Sequence, residues 1–163
     1  MRVRDILKSK GAALFTVQPN CLLSHCVITM ADNDIGSVVV MDGPQLVGMV
    51  TFREVIRILA QRQKGALQGP LPLVGELQVQ AVMNPNPIAA TLETELQELR
   101  AMMIRHHQRY LPVLDGPVLA GVVSFHDVAR AVYEEQTFEN RMLKAYISDW
   151  PTEDDEISAG RTE

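Results

Sequence analysis

The apolar residues of this chain fall into strand-length runs and helical stripes, and the same succession occurs twice. Ser37 to Met41 and Leu46 to Val50 flank Asp-Gly-Pro-Gln, as Tyr110 to Leu114 and Leu119 to Val123 flank Asp-Gly-Pro-Val. An Asp-Gly pair between two β-rich runs is a hairpin signal, because glycine takes the positive φ that a tight turn needs. Ahead of each hairpin the apolar positions recur at helical spacing: Leu23, Cys26, Val27 and Met30, then Leu96, Leu99 and Met103. That spacing predicts an amphipathic helix in both places. A short strand opens each succession, at Phe15 to Val17 and Ile88 to Ala90, and a second helix closes it, beginning at Phe52 or Phe125.

A shift of 73 residues, which lays Asp42 on Asp115, aligns the two copies without a gap from Thr16 onward. Val40, Gly43, Pro44, Leu46, Gly48, Val50, Phe52, Val55 and Arg57 then meet identical residues, as do Leu23 and Met30 upstream. Val3-Arg-Asp-Ile-Leu also corresponds to Val79-Gln-Ala-Val-Met if the first copy carries three extra residues before its opening strand. The fold class is therefore α+β, made of tandem β-α-β-β-α repeats. The first repeat is placed at 1–61 and the second at 77–135. Gly65, Gly69, Pro70, Pro72 and Gly75 mark 62–76 as a linker. Phe138, Met142, Ala145 and Tyr146 form an apolar stripe on a further helix at 136–148. That stripe suits either its own domain or a dimer contact.

Composition narrows the classes. The chain is 47% hydrophobic and 21% charged over 163 residues, enough for a sizeable core. No apolar run reaches the roughly 18–20 residues that span a bilayer, and Arg2, Arg4, Asp5, Lys8 and Lys10 interrupt the start as no secretory signal does. A cytoplasmic location is the expectation. Cys21 and Cys26 make neither a CxxC pair nor, with the histidines, a metal quartet, so both read as core or near-core residues. The formal net charge of −5 resides in the tail at 149–163, where Asp149, Glu153, Asp154, Asp155, Glu156 and Glu163 face only Arg161. That tail is expected to be disordered or solvated. The remainder is balanced and lacks the Lys/Arg cluster of a phosphate-backbone binder, which argues against nucleic acid as a partner.

Chemistry is concentrated where the last strand of each repeat turns into its second helix. The corners read Gly48-Met-Val-Thr51-Phe-Arg53-Glu54 and Gly121-Val-Val-Ser124-Phe-His126-Asp127. A helix N-terminus offers unpaired N–H groups and partial positive charge to a phosphate, and the hydroxyl adds a donor. A carboxylate three residues on suits a pair of vicinal hydroxyls such as those of ribose, and Arg53 or His126 supplies further positive charge. The competing reading is a capping box, in which hydroxyl and acid serve only the helix's own N–H groups. Ser124 and Asp127 are expected to fit that box less well, Asp being shorter than the Glu or Gln it prefers. His106 and His107 read as surface residues at a helix end. No nucleophile-base pair or metal cluster is apparent, so an enzyme is not expected.

The duplicated pattern resembles the tandem cystathionine-β-synthase (CBS) domain pair, or Bateman module, from Val3 to about Glu135. The resemblance rests on Met30 and Met103 ending the first helices, Ile35-Gly-Ser-Val-Val-Val40, Arg109-Tyr-Leu-Pro-Val113, the Asp-Gly turns and the two corners. The stand-alone bacterial members are the most similar, with a C-terminal helix ending near a pair like Tyr146-Ile147. The resemblance implies a pseudo-two-fold pair that binds an adenine nucleotide (AMP, ADP, ATP or NAD) or S-adenosylmethionine between its repeats, without catalysis, as a homodimer that signals to an effector protein. Carried over, Ser124 would meet phosphate and Asp127 ribose, with Ile88, Ala89, Tyr110, Leu111 and Pro112 as pocket walls. The same positions in the first repeat are Thr16, Val17, Ser37, Val38, Thr51 and Glu54. Glu54 replaces the usual Asp, Gln108 a usual apolar residue, and Tyr110 a frequent His, so the site with Ser124 and Asp127 is the better supported. The alternative is a ligand-free dimeric scaffold that presents its C-terminal helix to a protein partner.

Overall fold

The computed structural model describes residues 1–11, 13–65 and 72–149. The acidic tail beyond Asp149 and the middle of the linker lie outside the described residues. Val3–Lys10 forms α1, Thr16–Val17 β1, Leu23–Asp32 α2, Ser37–Asp42 β2, Gln45–Thr51 β3 and Phe52–Gly65 α3. After two short 3-10 turns, Val74–Glu76 and Val79–Ala81, come β4 (Ala90–Thr91), α4 (Leu96–Arg105), β5 (Tyr110–Asp115), β6 (Val118–Ser124) and α5 (Phe125–Ser148). The result is α+β with two three-stranded sheets, ordered β1-β2-β3 and β4-β5-β6, each with a parallel first pair and an antiparallel hairpin. Gly43 and Gly116 take φ of 57° and 58°, followed by proline with its fixed negative φ, so each hairpin turns in two residues. Even the strand irregularity is duplicated, between Val40 and Met41 and between Val113 and Leu114.

The opening strands differ from the sequence expectation in an instructive way. In the first repeat Val39 N–H donates to Phe15 O at 3.2 Å, and Thr16 pairs with Val39. The residue equivalent to Val39 in the second repeat is Pro112, which has no N–H to donate. Pairing therefore begins one step later, with Ala90 opposite Val113, and Ile88 and Ala89 stay outside the strand.

Leu23, Cys26 and Met30 of α2 form one core with Val38, Val40, Val50 and Val79. Leu96, Leu99, Met103, Leu111, Val113 and Val123 are buried correspondingly in the second repeat, and Val3 is fully buried too. Each such side chain contributes about 1.5–3 kcal/mol when fully buried. Cys26 is one of these core residues: burial, and then the neighbouring Cys21, push its thiol up to about 11.

The segments leading into the repeats are exchanged. Val3 N–H donates to Thr94 O, Arg4 N–H to Leu92 O and Leu96 N–H to Met1 O, which ties the start of the chain to the second repeat. Val79 N–H donates to Cys21 O, Gln80 N–H to Pro19 O and Leu23 N–H to Leu77 O, which ties the linker to the first. The sequence boundary at 1–61 thus cuts across the spatial one, because α1 completes the other repeat. Glycine permits the crossing. A side chain at Gly48 would start 2.3 Å from Met83 Sδ and 2.9 Å from Asn84 O; one at Gly121 would start 3.0 Å from Leu7 Cδ2.

The expected separate helix at 136–148 is a continuation of α5, which runs unbroken from Phe125 to Ser148. It holds no glycine or proline in that span to stop it. Met1–Val128 form one compact unit, and the described residues Ala129–Asp149 belong to a second. Within it Phe138, Met142, Tyr146 and Ile147 are exposed.

Candidate functional site

At the second corner β6 ends on Ser124 and α5 begins on Phe125. Asp127 N–H donates to Ser124 Oγ at 3.1 Å, and Ser124 N–H donates to Asp127 Oδ2 at 2.8 Å. This is a full reciprocal capping box, although the shorter Asp is expected to fit one less well than Glu or Gln. The carboxylate reaches because the serine backbone comes within 2.8 Å of it. The box does not exhaust the residue. Lys10, the last residue of α1, donates from Nζ to Asp127 Oδ2 at 2.8 Å and to Val122 O at 2.9 Å. Burial pushes the Asp127 carboxyl up, but the Lys10 hydrogen bond, the Ser124 N–H and the Lys10 charge outweigh it and hold the group below its ordinary value. The second-repeat acid is thus a carboxylate with a cation at its side.

The first corner is closed on itself. Thr51 Oγ1 donates to Glu54 Oε2 at 2.6 Å, and Thr51 N–H approaches the same oxygen at 3.4 Å. Arg53 N–H donates to Thr51 Oγ1 at 3.2 Å. The extra methylene of Glu54 lets its carboxylate fold back over the threonine, which uses the hydroxyl proton a ligand would need. Both residues are buried. In the correspondence of Val3 with Val79, Lys10 falls on Asn86, so this corner has no matching lysine.

Ser124, His126, Asp127, Tyr110 and Ser37 line a single cleft of about 480 Å³. Its other walls include Lys10, Leu14, Phe15, Ile35, Gly36 and Arg109, none of which the sequence reading singled out for the site. A smaller cleft of about 240 Å³ holds Thr51, Arg53, Phe52, Gln108, Arg109 and Tyr110, and Glu54 is not among its walls. Leu111 and Val38 are core residues, each 1% exposed, and Pro112 is buried. Thr16, Val17, Ile88 and Ala89 line neither cleft. The Ser124 cleft therefore draws its opposite wall from the first repeat, at Leu14, Phe15 and Ile35 to Ser37, where the sequence reading expects walls from the second repeat's own opening strand.

Tyr110 joins the two regions. Its phenol lies where a side chain at position 36 would stand, an ideal Cβ there being 1.9 Å from Oη, so only glycine fits at Gly36. Its ring meets Phe52 edge to face at 6.4 Å. Arg53 is held by its guanidinium donating to the His107 carbonyl. The Ser124 cleft brings Lys10, Arg109 and His126 together with the acids Asp127 and Asp34. It thus offers a helix N-terminus, a hydroxyl, basic side chains and carboxylates around an apolar wall, a set suited to a sugar phosphate bearing a flat apolar group. Lys10 left no local signal, since nothing near it in sequence marks the crossing of α1.

A family model described as "CBS domain" matches residues 3–61 and again 75–134. The CBS domain-containing protein YhcV of Bacillus subtilis is 28% identical over 128 residues, covering 78% of this chain and 82% of its own. A solved CBS-domain protein from Burkholderia ambifaria is 30% identical, with a TM-score of 0.71, over 83% of this chain and 96% of its own. The CBS domain pair of protein MJ0100, solved in complex with 5′-methylthioadenosine and S-adenosyl-L-methionine, has a TM-score of 0.69 at 20% identity over 83% of this chain and 98% of its own.

Proposed function

The chain belongs to the CBS-domain family, and we propose that it is a regulatory module that binds an adenine nucleotide in the cleft at Ser124 and Asp127. The observation that carries this reading is the contrast between the corners: Asp127 is ionised, faces an open cleft and has Lys10 beside it, whereas Glu54 is spent on Thr51. In this reading Ser124 and the first N–H groups of α5 receive phosphate, with Lys10 and Arg109 adding charge. Asp127 receives the ribose hydroxyls, and the base lies against Leu14, Phe15 and Tyr110. Adenine comes from the ligands named for the MJ0100 pair; the cations favour a phosphate-bearing member of that class. AMP, ADP, ATP and NAD all meet this description. The module has no catalytic step and acts through an effector protein.

Thermal melts with AMP, ADP, ATP, NAD and S-adenosylmethionine test it. A ligand at a hundredfold excess over its Kd adds ~2.7 kcal/mol, which in a chain of this size raises Tm by about 5–10 °C. Ser124→Ala and Asp127→Ala should abolish the rise. No shift with any ligand would sink the reading.

A second reading is supported by the exposed apolar residues Phe138, Met142 and Tyr146 on α5 and Phe52, Ile56 and Leu59 on α3. It makes the chain a ligand-free homodimeric scaffold in which both corners act only as caps. It predicts no nucleotide shift, together with loss of the dimer when residues 138–146 are removed.

A further inference from the structure

A second cleft, of about 500 Å³, adjoins the Ser124 cleft and shares Lys10, Ala13, Leu14 and Val122 with it. The nucleotide reading does not use its far side. There half-buried Leu7 and Leu92 form an apolar floor, exposed Arg4 and Lys8 stand at the rim, and no carboxylate is among the described walls. Glu93 offsets Arg4 and Asp127 offsets Lys10 by ion pairing, whereas Lys8 has no ion pair among the described residues. An apolar floor under a cationic rim recognises a segment that sets an aromatic side chain beside a run of acids. The acidic tail has both features: Trp150, the chain's one tryptophan, is followed by Glu153, Asp154, Asp155 and Glu156.

We propose that the second cleft is a docking surface for residues 149–156 of a second copy of this chain, with Trp150 on Leu7 and Leu92 and the acids against Lys8 and Arg4. Charge complementarity supports the pairing, since the net negative charge of the chain resides in that tail and this cleft is lined by basic side chains without acids. A second copy is the favoured source because α5 leads directly into the segment and carries exposed Phe138, Met142, Leu143 and Tyr146, an apolar face that another copy would cover. A copy held there brings its own residues 149–156 with it. Lys10 borders both clefts, so the docked segment lies beside the ammonium that serves Asp127. Assembly is thereby tied to the Ser124 site, whatever that site binds.

Trp150 is its own reporter, because the full chain has no other tryptophan. Its emission in the wild type should be blue-shifted relative to a synthetic peptide of residues 149–163. It should return to the peptide's value in Lys8→Glu and in Ala120→Glu, two exposed positions of the second cleft that do not line the first. Salt at 1 M, where screening shortens to about 3 Å, should move it the same way. A mixture of two full-length variants identifies the source of the segment. Lys8→Glu keeps the tryptophan but has a reversed cleft, and Trp150→Phe keeps the cleft but gives no tryptophan emission. Adding the second to the first should restore the blue shift, which supports docking between copies. A mixture that stays at the Lys8→Glu value overturns it, even if the wild type is blue-shifted. A wild-type emission equal to the peptide's, or a blue shift that neither cleft variant removes, overturns the cleft as the docking surface.

Discussion

The corners at Thr51 and at Ser124 start from nearly the same sequence and reach different hydrogen-bond arrangements. In one, a glutamate doubles back on its own threonine and the site is internally satisfied. In the other, a shorter acid makes both bonds of the cap and also takes a lysine from a helix distant in sequence. A local capping motif therefore does not decide between structural and binding roles. The difference between the corners lies in a group from elsewhere in the fold: Lys10 converges on the acid of the second corner, and the nucleotide reading rests on that contrast.

The comparison can be broken where the exchanged segments pass behind the corners. Gly48→Ala drives a methyl against Met83 Sδ and the Asn84 carbonyl, and because that oxygen is backbone the strain has little escape. It should cost about 1–3 kcal/mol in urea denaturation. Gly121→Ala meets only the far end of Leu7 and should cost clearly less. Equal losses would mean that the two crossings are equivalent after all.

Charge reversal gives the next largest effect. Lys10→Glu sets a second carboxylate beside Asp127 and should destabilise by about 1–2 kcal/mol, scaled down from a fully buried pair because Lys10 is partly exposed. Asn86→Glu, at the matching place, should be nearly silent in the same melts. If both variants melt alike, the lysine is not what distinguishes the corners.

The smallest effect is in pH. Asp127 has a depressed folded-state pKa, so its contribution is fully present above the unfolded value near 3.8 and is lost as pH falls through the lower folded value. Tm should therefore fall more steeply for the wild type than for Asp127→Asn in that acid window. Parallel curves would show that the Lys10 pair adds nothing to stability.

Much of this fold could be read along the chain, because its hairpins rest on local chemistry: Asp-Gly-Pro dictates the turn at Gly43 and Gly116 wherever it occurs. Tyr110, Ser124, His126 and Asp127 were legible for the same reason, being tied to a strand end and a helix start. The opposite wall was not. Whether Val3 or Val79 serves its own repeat or the other leaves no trace in the apolar pattern, since both are buried valines in either arrangement. For that reason Lys10, Leu14 and Phe15 could not be placed at Ser124 from sequence alone. Pro112 shows the finer grain: a single missing N–H moved the opening pairing to Ala90, a step the repeat alignment does not foresee.

The exchange of Val3 and Val79 also bears on how such a chain can be cut or recombined. A fragment ending near Gln61 would keep α1 but lose Val79, and the complementary fragment would keep Val79 but lose Val3, so each would carry a plug for a hole in the other. Severed halves should be poorly soluble apart and should reconstitute when expressed together. The unit expected to fold is accordingly the pair rather than the single repeat.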